Sequence, residues 1–377
     1  MAGGSVVVEK LFGGITTSKT AAGVSAGVGN AVTLPPVFKA IRLISETTGA
    51  LPLHTYRRQA GNNRVRLNDT PTADLLARRS NQHQTAVEFW TQASAHLNGW
   101  GNIYIGKTWR GRQVDELHLL EPQLVQIARN RRGELLYLEH RSDGPKDWSS
   151  REIIHIRLFT LDGIHGLSPI GIHRETVGLS LAMRQQAASL FADNAVPGGI
   201  LSIKDEIKSP EVKERLRKEW KDRHQGRRDI AVLDAGAEFH QVSISMADAQ
   251  YIELIGATRT DIADMFNMPA SMLDGTSGDS MTYGNKVEDR QAFLTLTLHN
   301  QLKKIEQAIY TDPDLYPDRR DYCEFLREDL MQPDPRGKAE MYRLAGDPRW
   351  GWMNRDEIRA RENLPPDPTH RPLEGDR

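Results

Sequence analysis

The chain has 377 residues, with 49 lysines and arginines against 50 aspartates and glutamates and a formal net charge of -1. That length allows two or more structural units with a buried core, and the near-neutral balance excludes a general cationic field that grips nucleic acid wherever it meets it. A single cysteine, Cys323, excludes an intramolecular disulfide framework and a thiolate zinc cage, so a reducing compartment is expected.

The N-terminus has neither a basic n-region nor a long apolar h-region, and no stretch approaches the roughly 20 apolar residues of a membrane span. A soluble, non-exported chain with no membrane partner is expected. Residues 13–31 are mostly Gly, Ala, Ser, Thr and Val, a composition that reads as a flexible arm over 1–34. From Pro35 the pattern becomes globular. Val37, Ile41, Ile44 and Thr48 share a helical face, and LPLHTYRR alternates like a strand. Thr85 to Leu97 reads as a helix, and GNIYIGKTWR, VDELHLLEPQLVQIAR and ELLYLEHR read as three short strands.

Ser168 and Pro169 are the N-cap and first-turn residues of a long helix. Ile170, Val177, Leu181, Ala188 and Phe191 follow one seam, while Gly171, Gly178, Ala182 and Ala187 allow a close neighbour. Pro197-Gly198-Gly199 ends that helix. GILSI reads as a short strand, and EVKERLRKEWKDRH as a charged surface helix with only Val212, Leu216 and Trp220 on its apolar side. IAVL and EFHQVSI read as two further strands around the Asp234 to Gly236 turn. Ser245 and Asp248 form an S-x-x-D capping box for a second long helix, through Ile252, Ile255, Ile262 and Phe266 to Pro269. DGTSGDSMTYG is a glycine-punctuated loop, and Asn285 caps a third helix with the stripe Leu294, Leu298, Leu302, Ile305 and Ile309. Pro365, Pro366, Pro368 and Pro372 close the chain without periodicity in an extended stretch, the end of a C-terminal tail over 351–377. The fold class expected from this order is α+β.

The strings PPVFKAIRLISETTGALPLHTYRR, IIHIRLFTLDGIHGLSPIG, LFADNAVPGGIL, DAQYIELIGATRTDIADMFNMPASMLDG and TYGNKVEDRQAFLTLTL occur in an order that resembles the portal proteins of tailed double-stranded DNA bacteriophages. The resemblance is to the short siphophage-type head-tail connector portals and covers most of 35–310. It implies a mixed wing domain over 35–167, a first stem helix over 168–194 and an α/β clip insert over 195–244. A second stem helix over 245–269, a tunnel loop over 270–284 and a tunnel helix with helical crown and wing return over 285–350 complete it. Longer members continue well past this point, whereas this chain has little beyond residue 350.

The resemblance further implies a dodecameric ring at the capsid vertex of a virion assembled in the bacterial cytoplasm. Double-stranded DNA passes through it during packaging and ejection. The implied partners are the terminase large subunit, head-completion or adaptor proteins, and the major capsid and scaffold proteins. No cofactor and no catalysis are implied. The clip residues expected to meet the motor are Lys213, Arg217, Lys221, Arg227 and Arg228, although Glu211 to Arg215 and Glu214 to Lys218 at i, i+4 also suit a plain solvated face. No lysine or arginine lies between Arg259 and Lys286, while Asp261, Asp264, Asp274 and Asp279 do. A channel lined this way would give moving phosphates no cationic traps, with Asp274, Asp279, Met281, Thr282 and Tyr283 as the residues facing DNA. A chance acidic loop is the competing reading.

The rival class is a nucleotide-binding enzyme. Gly101-Asn102-Ile103-Tyr104-Ile105-Gly106-Lys107-Thr108 satisfies G-x-x-x-x-G-K-T, but that motif needs a strand before it, a glycine-rich turn and a helix after it. Here a helix precedes it and Ile-Tyr-Ile alternates like a strand. The 12 histidines show no H-x-x-x-H or H-E-x-x-H spacing, so no metal is expected. Asp312-Pro313-Asp314 reads as a turn rather than a metal-binding D-x-D, and Ser277 and Ser280 have no paired histidine.

Overall fold

The computed structural model describes residues 18–130, 132–192, 200–203, 211, 214, 237–240, 257–273, 283–327, 335–362 and 364–365, and structural statements refer to these. Helix α1 (Pro35–Ala50) starts on two prolines, whose missing N–H groups cost nothing in a first turn, and buries Val37, Ala40, Ile41, Ile44 and Thr48. Strands β1 (Leu53–Arg58) and β2 (Arg64–Leu67) follow, then α2 (Pro71–Ala77) and α3 (Ala86–Trp100). Thr85 and Glu88 close a reciprocal capping box on α3, and Gly101, at φ 77°, ends it. Gly49 lets the two helices touch, because a Cβ there would sit 2.0 Å from Thr91 Oγ1.

Strands β3 (Asn102–Arg110), β4 (Gln113–Leu120), β5 (Val125–Arg129), β6 (Leu135–Arg141), β7 (Gly144–Ser149) and β8 (Ile153–Arg157) come next. They form two antiparallel sheets of order β8-β3-β4 and β7-β6-β5. The run VDELHLLEPQLVQIAR, expected as one strand, is two strands in different sheets. Pro122 lacks the N–H a ladder needs and sits in a 3-10 turn over Pro122–Leu124.

A single helical turn (Pro169–Ile172) leads into α4 (Arg174–Ala192), with a break at His173 where one continuous helix was expected. Strands β9 (Ile200–Ile203) and β10 (Ala237–His240) pair with each other. Helix α5 covers 257–265. Helix α6 runs over 283–310, with a π segment at Phe293–Leu298 between the α-helical Tyr283–Ala292 and His299–Tyr310. Strand β11 (Asp321–Phe325) pairs with β1, giving a third sheet of order β11-β1-β2, and α7 (Pro335–Ala345) and α8 (Arg355–Arg361) follow. Helix α8 lies inside the C-terminal tail of 351–377, ahead of the proline-rich stretch expected to be extended.

One core joins segments far apart in the chain, with Val37, Ile44, Leu53, Phe89, Trp90 and Leu97 beside Ile262, Phe266, Leu302, Ile305 and Phe325. Residues 18–34 correct the flexible-arm reading. Ser18–Lys19 pairs with Ser25–Ala26, a helical turn covers Val28–Ala31, and Ala26, Ala31 and Leu34 are buried. Small side chains suit this segment because it lies close to α4: a Cβ on Gly178 would meet the Thr20 side chain at 2.5 Å. The close neighbour that Gly178 admits is therefore the N-terminal hairpin.

Candidate channel loop and docking insert

The segment 274–282 lies outside the described residues, and the residues that flank it, after α5 and in α6, are tied to each other. Leu273, after the 3-10 turn Ala270–Met272, is buried with Met265, Phe266, Met268, Phe293 and Leu298. Asn267 sits at φ 51°, a left-handed conformation that asparagine tolerates better than most residues. Its Nδ2 donates to the Leu296 carbonyl at 2.8 Å, and Thr297 Oγ1 donates to the Asn267 carbonyl at 2.5 Å. Both α6 partners lie in the π segment, where the wider turn loosens the i to i−4 ladder. Ser271 Oγ donates to Asp289 Oδ2 at 2.6 Å and closes the base of the loop.

Of the residues expected to face DNA, Asp274, Asp279, Met281 and Thr282 lie outside the described residues. Tyr283 and Gly284, expected in the loop, belong to the first turn of α6, which starts two residues before the Asn285 cap. The clip residues Lys213, Arg217, Lys221, Arg227 and Arg228 also lie outside. The ends of their insert are defined. Ile200 opposes His240 and Ile203 opposes Ala237, so the chain enters and leaves 204–236 through one antiparallel ladder. The strand in EFHQVSI thus pairs with GILSI, while IAVL lies outside the described residues.

The start of the long helix is fixed by a residue that pattern reading did not single out. Asn102 Nδ2 donates to the carbonyls of Gly166 at 2.8 Å and Trp100 at 2.9 Å, and its Oδ1 accepts from Gly166 N at 2.8 Å. His155 Nε2 lies 2.9 Å from the same Oδ1, and the Tyr137 hydroxyl lies 3.3 Å from His155 Nδ1. This pattern holds a neutral imidazole with its proton on Nε2. Burial, then Arg157 and His165, lowers its pKa to about 2. Ser168 Oγ accepts from Gly171 N at 3.0 Å as N-cap and donates to Gly99 O at 2.6 Å. The backbones touch here: a Cβ on Gly166 would be 1.9 Å from Gly101 O.

The G-x-x-x-x-G-K-T string has another use. It is the central strand of its sheet, and Gly106 makes room for the Trp148 indole, 3.0 Å from where a Cβ would stand. The Lys107 ammonium is fully buried and lies 2.5 Å from Asp312 Oδ2 and 3.0 Å from Asp314 Oδ2. The Arg151 guanidinium, and then Lys107, hold the Asp314 carboxyl below the usual carboxylate range. The two strings weighed separately as a phosphate loop and a D-x-D turn are partners in one ionic cluster. A strand with its lysine so engaged has no phosphate cradle.

Among the described residues there is no group of three or more His, Cys, Asp or Glu placed to hold a metal, and no helix is long and apolar enough to cross a membrane. Comparison with known proteins gives one consistent result. The chain is 26% identical over 362 residues to the "Probable portal protein" of Streptomyces phage phiC31, covering 90% of this chain and 76% of that protein. It is 26% identical over 340 residues to the portal protein of Enterobacteria phage HK97, covering 88% and 79%. A solved chain from the neck of an empty gene transfer agent particle, computed with C6 symmetry, superimposes with a TM-score of 0.65 at 25% identity over 88% of this chain and 91% of that one. The family model described as phage portal protein matches residues 35–363, and on that match the chain belongs to the phage portal protein family.

Proposed function

We propose that the chain is the subunit of a ring-shaped channel at one vertex of a phage-type capsid, through which double-stranded DNA is packaged and ejected. The observation that carries this reading is the family match across 35–363. The C6 symmetry of the neck that holds a similar chain supports a ring with a multiple of six subunits, and twelve is the number proposed. Such a ring closes through heterologous contacts, one patch of a subunit meeting a different patch on the next. Within the subunit, 35–167 with the returning β11 forms the wing, and α4 and α5 lie in the two stem helices. The insert entered through β9 and β10 is the clip, 270–282 is the tunnel loop, and α6 carries the chain from it toward the crown.

The clip docks the terminase large subunit during packaging and head-completion proteins afterwards, and scaffold and major capsid proteins place the ring in the assembling shell. The chain catalyses no reaction and holds no cofactor. The acidic, cation-free stretch between Arg259 and Lys286 lets phosphates slide without counterion release to reverse at each step. In a packaging assay, heads assembled without the chain stay empty; heads that fill without it overturn the reading. Asp274→Lys with Asp279→Lys slows filling, and an unchanged rate removes the channel role of these two residues.

A further inference from the structure

The sheet β11-β1-β2 has two unlike faces. Leu53, Thr55, Cys323 and Phe325 point into the core, while the opposite face pairs Tyr56 with Arg66 and Tyr322, and Arg58 with Arg64. Arg58 and Arg64 are held against rings: the Arg58 guanidinium lies 4.9 Å from the Tyr322 centroid and 5.6 Å from that of Tyr310, and Arg64 lies 4.5 Å from that of Tyr56. Six arginines stand on β1, β2 and the turn before β11, and three are matched, Arg57 to Asp321, Arg64 to Glu324 and Arg320 to Asp318. Arg58, Arg66 and Arg319 are exposed and have no carboxylate at ion-pair distance among the described residues. In a chain of net charge -1 this is a local cationic surface.

Charged side chains on an edge strand commonly serve to stop sheets joining edge to edge, a role open to Arg64 and Arg66 on β2. It does not account for Arg58, which lies over the rings of Tyr322 on β11 and Tyr310 on α6, or for Arg319 in the turn. Guanidinium groups held over rings have lost part of the freedom that binding would otherwise cost, and their fork geometry suits phosphate oxygens. Alternate residues on a strand are about 7 Å apart and neighbouring strands about 5 Å, so Arg58 and Arg66, diagonal to each other across β1 and β2, present spaced charges to a polyanion, with Arg319 in the turn before β11. Tyr310 ends α6 and Tyr283 begins it, so this face lies about 40 Å along the helix from the return of the channel loop.

We propose that this face binds the phosphate backbone of double-stranded DNA without sequence preference, at a site separate from the channel loop. The choice of DNA over another polyanion rests on the packaging role proposed above. The contacts are of the positioning kind, which carry affinity and salt dependence but read no bases. An acidic protein is the competing partner.

The test is fluorescence anisotropy of the assembled full-length protein with a short labelled duplex, over a series of salt concentrations. The triple variant Arg58→Gln, Arg66→Gln, Arg319→Gln is expected to weaken binding at low salt by about tenfold or more. It lowers the slope of log K against log salt by about 0.9 for each arginine lost. A second variant with only Arg66→Gln and Arg319→Gln leaves Arg58 over its two rings and is expected to show about two thirds of the slope change, which keeps the test decisive if the triple variant does not assemble. Unchanged affinity and slope, or no binding of duplex by the parent protein at low salt, overturn the proposal. Displacement of the duplex by polyglutamate at equal charge concentration assigns the face to an acidic protein instead. Normal ring mass and head filling alongside unchanged DNA affinity would reject this site while leaving the packaging role intact.

Discussion

Lys107 and Asp312 lie 205 positions apart in the chain, and their charged atoms are 2.5 Å apart in the fold, with the lysine side chain fully buried. Removing one member of a buried ion pair leaves the other without compensation, at a cost of about 3 to 5 kcal/mol. Lys107→Ala is therefore expected to lower the urea midpoint strongly, and Lys107→Met combined with Asp312→Asn and Asp314→Asn to recover most of the loss. Equilibrium dialysis is expected to find no ATP on the parent protein. ATP binding abolished by Lys107→Ala would restore the enzyme reading.

Acid is expected to destabilise the subunit well above the carboxylate range. Burial lowers the pKa of His155 to about 2 and that of His96 to about 4. Between those values and the unfolded pKa near 6.5, the unfolded chain binds protons that the folded one refuses, so stability falls as pH falls. From pH 7 to pH 5 each histidine withdraws about 2 kcal/mol. Urea titrations at the two pH values are expected to show this drop, and His96→Leu with His155→Gln to flatten it; an equal drop in that variant would assign it to other groups.

The junction between Gly101 and Gly166 predicts a ranking of glycine substitutions. Gly133, at φ 80°, has open space around it, so Gly133→Ala costs only the left-handed conformation, about 1 to 2 kcal/mol. Gly101, at φ 77°, would also place a Cβ 2.3 Å from Leu167 O, so Gly101→Ala is expected to cost about 3 kcal/mol or more. Gly166→Ala joins it through the clash with Gly101 O. Thermal unfolding that ranks all three alike would mean that the approach of β3 to the long-helix start is not needed.

Asn267→Ala loses both a side-chain hydrogen bond to the π segment and tolerance of φ 51°, together about 2 kcal/mol. The effect is local, so limited proteolysis is expected to cut within 270–284 faster while the midpoint of global unfolding moves little. Asn267→Gly keeps the backbone freedom and is expected to fall between. Equal cleavage of all three forms would show that the loop base does not depend on this contact.

What the sequence disclosed follows from the range of the forces involved. The stripe Leu298, Leu302, Ile305 and Ile309 and the seam from Val37 to Thr48 are local, and both appear as helices with those residues buried. The segment 18–34 was misread because composition registers its few apolar side chains but not the fit of Thr20 against Gly178. Strand β11 went unmarked because five residues between turns become a strand only beside β1. The Lys107 cluster and the Asn102 brace were hidden for the same reason, since no local pattern reports a partner far along the chain. Asn267 was not singled out either, although an asparagine at a helix end, two residues before Pro269, is the residue type that suits a left-handed conformation. The proposed channel and motor residues are positional, so they were assigned only through the order of elements that the family resemblance supplied.

The most direct measurement is the mass of the purified full-length protein by multi-angle light scattering, with negative-stain images of the same fraction. A species of about twelve subunits with a central hole is the expected result for a ring closed by heterologous contacts. A compact monomer that persists at high concentration would contradict the portal ring.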